Sequence, residues 1–180
     1  MRYKRSNTPG ATYFFTVVTH ERKNILCHGE NPRLLKNAFE TVKDRHPFAI
    51  DAIVLLPDHL HCLWTLPPDD DDFSNRWMLI KSVFLRTCND PLQSAPNQSR
   101  IMKRERNIWQ RRFWEHQIRD DEDRMRHTDC IHYNPVKHGL ATSPLAWRFS
   151  SFHRYVKSGV YPLEWGAKDR ITFEGTIGHE

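Results

Sequence analysis

The chain has 180 residues, enough for one domain with a real hydrophobic core. Charged residues make up 27% of it and no run approaches the ~20 apolar residues of a membrane span, which excludes an integral helical membrane protein and leads us to expect a cytoplasmic one. The net charge of +5 favours a polyanionic partner.

The basic start (Arg2, Lys4, Arg5) is not followed by an apolar segment, so it lacks the form of a secretory signal. Thr12 to Thr19, TYFFTVVT, is rich in β-branched and aromatic residues and reads as a strand. Asn31-Pro32 has the form of a helix start, with Asn31 as N-cap and Pro32 at the first helical position. Leu35, Ala38, Phe39 and Val42 follow at helical spacing, and Pro47 closes the segment. Phe48 to Leu56 reads as a buried strand. After Pro57-Asp58, His59 to Leu66 alternates as a second strand, so the pair forms a hairpin. The acidic run Asp69 to Asp72 opens a helix carrying Phe73, Trp77, Ile80 and Phe84, where negative charge complements the helix dipole.

Asn89 to Ser99 has loop composition. Another strand is expected within Asn107 to Ile118. Asp120 or Asp121 then caps a helix running toward Pro135, which is expected to end it. The order strand, helix, strand, strand, helix, strand, helix predicts an α+β fold. It would be an antiparallel sheet of the ferredoxin-like or RRM-like kind with helices on one face. We place a domain over residues 1–140 and an irregular C-terminal tail over 141–180, packed on the domain or on its ligand.

The four cysteines (Cys27, Cys62, Cys88, Cys130) are scattered without a CxxC pair, which argues against a disulfide framework or zinc ribbon. The chemistry concentrates elsewhere. Residues i and i+2 of a strand share a face, so His59 and His61 in PDHLHCLWTLP point the same way, roughly 7 Å apart at Cα. Two imidazoles at that separation can converge on one cation. A third ligand is needed, and the segment DCIHYNPVKHG offers Cys130 and Asn134, four apart on one helix face. Read as structure alone, Asn134 is a helix C-cap. The stretch Arg100 to Trp114 mixes Arg104, Arg106, Arg111 and Arg112 with Trp109, Phe113 and Trp114. Cations there can hold a phosphate backbone while aromatics stack on unpaired bases or fill the core. Lys137 and His138 either touch phosphate or flank the helix end. His116 either lines the site or is an ordinary strand histidine, and is left out of the metal set.

Together AIVLLPDHLHCLWTLP, DDDDFSNRWMLIKSVF, IWQRRFWEHQIRDDED and IHYNPVKHGL resemble the REP-associated tyrosine transposases, relatives of the single-tyrosine HUH transposases of small insertion sequences. The resemblance covers roughly residues 10 to 165. It implies a Mg²⁺- or Mn²⁺-dependent cleavage and rejoining of single-stranded palindromic hairpin DNA through a 5′-phosphotyrosine, by a monomer or a homodimer. His59 and His61 match the metal pair, and Asn134 matches the polar residue four positions after the nucleophile.

The tyrosine expected at position 130 is replaced by Cys130. Four consequences are open. The nucleophile is lost, naturally or by engineering; Cys130 attacks itself; Tyr133 substitutes; or Cys130 joins His59 and His61 in a zinc site. The rival functions are a non-catalytic DNA-binding regulatory module on the same fold and a metal-dependent hydrolase using water, with Asp58 or Glu115 as base.

Overall fold

The computed structural model of the chain describes residues 7–88, 108–168 and 170–173. Four strands, β1 (Thr12–Val18), β2 (Ala49–Leu55), β3 (His59–Thr65) and β4 (Trp114–Gln117), form one antiparallel sheet in the order β2-β3-β1-β4. With helices α1 (Asn31–Arg45) and α2 (Phe73–Thr87) between them, the order is the βαββαβ of the expected α+β, ferredoxin-like sheet.

Alternation in the strands sorts the core into two layers. Tyr13, Phe15 and Val17 of β1 join Leu60, Cys62 and Trp64 of β3 on one face. Against them lie the apolar stripes of α1 (Leu35, Ala38, Phe39, Val42) and α2 (Phe73, Trp77, Ile80, Phe84). This layer is dominated by rings: Trp64 stacks on Trp77 at 4.3 Å and meets the tilted ring of Phe48 at 4.3 Å. The opposite face carries a smaller cluster of Phe14, Ala52, Val54, Leu56 and Leu63, covered by Ile131 of a third helix, α3 (Asp121–Lys137). Two helices thus share one face as expected. The third lies on the other, a placement that strand and helix order does not encode.

Two local expectations are corrected. Asn31 does not cap α1: it is the first helical residue, and its buried side-chain amide donates to the Ile25 carbonyl at 2.7 Å. Pro135 does not end α3, which continues to Lys137. A proline near a helix C-terminus sacrifices a single N–H, and the last turn closes through the His138 N–H to the Asn134 carbonyl at 3.0 Å. The cap expected at Asp120 or Asp121 falls on Asp120, and the acidic run before α2 also supplies a cap, Asp72, which the dipole reading alone did not name. Asp72 accepts from the Asn75 N–H and Asp120 from the Asp123 N–H.

Beyond residue 140 the chain is less irregular than its sequence suggests. A 3-10 turn (Pro144–Ala146) and a short helix, α4 (Phe152–Lys157), follow α3. Between them the Leu55 N–H donates to the Phe149 carbonyl and the Ser151 N–H to the Ile53 carbonyl, each at 2.8 Å, which covers part of the β2 edge. Among the described residues no helix is long and apolar enough to cross a membrane.

Candidate active site

His59 and His61 leave β3 on the α3 face, as the i, i+2 pattern requires, and both are buried. Their ring centroids lie 4.9 Å apart with the planes nearly perpendicular. Each Nδ1 has a partner. That of His59 is 2.6 Å from Asp58 Oδ1, and that of His61 is 2.9 Å from the hydroxyl of Thr16, its cross-strand neighbour on β1. Nε2 is therefore the nitrogen each ring can offer a ligand. In His59 that atom is buried and has no hydrogen-bond partner.

The Asp58 carboxyl is itself tied down. Burial would raise its pKa, but the hydrogen bond from His59 and the Arg22 guanidinium 3.1 Å away outweigh this and hold it below the ordinary carboxylate value. A carboxylate behind an imidazole fixes both tautomer and orientation, an arrangement common behind metal-bound histidine. The residues present fit a divalent ion on this criterion.

The C-terminal end of α3 reaches this pair. The ring of His138 lies 5.3 Å from that of His59. Its backbone joins that of Asn134, which is fully buried one turn after Cys130. His138 was legible in NPVKHG only as a phosphate contact or a helix flank, because its approach to His59 depends on the tertiary fold.

Cys130 is 2% exposed and lines a cavity of about 580 Å³ with Tyr133, Lys137 and residues 170–173 of the C-terminal segment. Tyr133 packs: its ring lies 6.3 Å from Trp165 and 6.0 Å from Phe173. Neither carboxylate considered for a water-using hydrolase is placed for that work. Asp58 is engaged by His59 and Arg22. Glu115 pairs with Phe15 across β1 and β4, so it faces the α1/α2 layer, away from the histidine pair. Of the basic residues, Arg111, Arg112 and Lys137 are exposed, while Arg104 and Arg106 lie outside the described residues.

No family model matches the chain. Two curated relatives do. A REP-associated tyrosine transposase of Escherichia coli (strain K12) is 44% identical over 163 residues, covering 91% of this chain and 89% of the relative. A putative REP-associated tyrosine transposase of Haemophilus influenzae is 42% identical over 176 residues, 97% of this chain and 98% of the relative. Among solved structures, a REP-associated tyrosine transposase bound to a REP hairpin superimposes with a TM-score of 0.78 at 41% identity, covering 99% of both chains.

Proposed function

The chain belongs to the REP-associated tyrosine transposases, a family of DNA strand transferases, and from that premise we propose that it binds REP hairpin DNA and a divalent ion but lacks the family's attacking tyrosine. The observation that carries this reading is the buried His59–His61 pair, each Nδ1 tethered, which the end of α3 reaches through the His138 ring.

In this reading His59, His61 and Asn134 hold Mg²⁺ or Mn²⁺: two imidazole nitrogens and an amide oxygen leave open positions for water and phosphate. When bound, such an ion polarises and orients the scissile phosphate. The protein's own part is preorganisation. Asp58 fixes the His59 ring, Thr16 fixes the His61 ring, and Phe14 stacks on His61 at 5.4 Å. Arg111, Arg112 and Lys137, with Arg104 and Arg106, attract the DNA backbone without regard to sequence.

Position 130 is where the chemistry fails. A buried thiol is a soft nucleophile facing a hard phosphodiester, and it does not form the 5′-phosphotyrosine. The cavity beside it has room for a phenol ring, and the packing of Tyr133 argues against that residue taking over. The test incubates the chain and its Cys130→Tyr variant with labelled single-stranded REP hairpins and Mn²⁺, then looks for a covalent adduct on a denaturing gel. Adduct with the tyrosine variant alone is expected. Adduct with the unsubstituted chain would place Cys130 or Tyr133 in the reaction. Hairpin binding with no adduct from either protein would leave a binding module.

A further inference from the structure

A second group of metal-ligating side chains lies on the same face of the sheet, where β4 meets the first turn of α3. His116 faces this side because it pairs with Phe14 across β1 and β4. Its Nε2 lies 2.8 Å from Asp123 Oδ2, and His127 Nδ1 lies 3.1 Å from Asp123 Oδ1. The two imidazoles are nearly parallel, 4.6 Å apart at an angle of 13°. One ligand atom from each of the three residues falls within 4.8 Å of the others. Asp123 and His127 are buried, and His116 is open enough to admit an ion.

We propose that His116, Asp123 and His127 form a second divalent-cation site, of the kind that takes zinc or cobalt, which clamps β4 to the N-terminal end of α3. Two imidazoles and one carboxylate are a borderline ligand set, unlike the oxygen-rich sets that magnesium prefers. The surroundings have the features of a built site. The Arg119 N–H donates to Asp123 Oδ2 at 3.1 Å and orients the carboxylate. Trp114 stacks on His116 at 6.0 Å and Phe14 lies 4.8 Å from His127, walling the group with apolar rings. Without an ion the same atoms form hydrogen bonds, His127 Nδ1 also reaching the Asp123 carbonyl at 2.7 Å. Arg126, with Nη2 3.8 Å from Asp123 Oδ1, opposes the ion, but half of its side chain is exposed and can swing clear.

Phe14 contacts both His61 and His127, so the two groups are neighbours without sharing a ligand. The experiment first removes the histidine pair with His59→Ala and His61→Ala in the full chain. It then titrates Co²⁺ and reads its visible absorption, with Zn²⁺ as competitor. About one equivalent of Co²⁺ is expected to remain bound, to be displaced by Zn²⁺, and to be lost when His116→Gln or Asp123→Asn is added. No Co²⁺ bound by the double alanine protein overturns the site, as does Co²⁺ binding indifferent to both further substitutions. Should the variants fail to fold, anomalous diffraction from crystals of the unsubstituted chain with Co²⁺ decides. A peak among His116, Asp123 and His127 supports the site, and its absence there overturns it.

Discussion

The two faces of the sheet draw on alternate residues of the same strands and differ in chemistry. Toward α1 and α2, β3 contributes Leu60, Cys62 and Trp64 to a layer of interlocked aromatic rings. Toward α3 it contributes His59 and His61, and β1 adds Thr16 and Phe14 beside them. The second face has only a small apolar cluster, and its remaining area is filled by imidazoles, a hydroxyl and a buried amide. A sheet covered on both sides can thus divide its duties. One face supplies burial free energy, and the other places polar groups that are costly to bury unless they are hydrogen-bonded or bound to a ligand.

Breaking the polar face should abolish chemistry with a limited loss of stability. In the Cys130→Tyr background, His61→Ala is expected to reduce the Mn²⁺-dependent adduct to the limit of detection. Its denaturation midpoint should fall less than that of a core variant, and the reverse ranking would mean that the pair is structural. Breaking the aromatic face does the opposite. Trp64→Ala removes a ring stacked on Trp77 and packed against Phe48, and large-to-small changes of this kind cost about 3–5 kcal/mol in chemical denaturation. Asp58→Asn sharpens the contrast. It keeps the shape behind His59 but weakens the acceptor, so metal affinity should fall about 10–100-fold with folding barely changed. Equal Mn²⁺ binding by parent and variant would remove the carboxylate from the site.

The polar face should also dominate the acid response. Burial, reinforced by the Arg154 charge, pushes His132 down from 6.5 to about 3. Below pH 6.5 the unfolded chain takes up a proton that the folded chain refuses. Stability should therefore decline by about 1.4 kcal/mol per pH unit down to the folded value. His132→Phe keeps a ring among Phe152, Tyr155 and Tyr161 and should make the slope shallower by one proton. An unchanged slope would mean that His132 titrates normally. Asp58, Asp70 and Asp123 are held below 3.8, so their contribution is present above that value and lost only as the pH falls further.

What could be read from the sequence follows from how local each signal is. Strand alternation placed His59 and His61 on one face, and helical spacing named the buried stripes of α1 and α2 residue by residue. Both depend on neighbours in the chain. Asn31 misled because its composition fits a cap, while its amide is claimed by Ile25 six residues earlier. Pro135 misled because a proline in the last turn costs a helix little. The approach of His138 to His59, and the meeting of His116 with Asp123 and His127, need β4 and α3 folded onto the same sheet face. No local pattern encodes that.

The smallest effect separates the faces most cleanly, because it applies one chemical change to both. Asp72 caps α2 and Asp120 caps α3, each by accepting an N–H three residues on. Replacing either with alanine should cost about 1 kcal/mol, since both lose the same kind of hydrogen bond. The consequences beyond stability differ. The N–H that Asp72 holds belongs to Asn75, on the aromatic side of the sheet. The N–H that Asp120 holds belongs to Asp123, whose carboxylate meets His116 and His127. Asp120→Ala should therefore weaken Co²⁺ binding in the His59→Ala, His61→Ala protein, and Asp72→Ala should leave it unchanged, at matched losses of stability. If both caps weakened the ion equally, loosening of the whole fold would explain the effect, and the first turn of α3 would have no special link to that cluster.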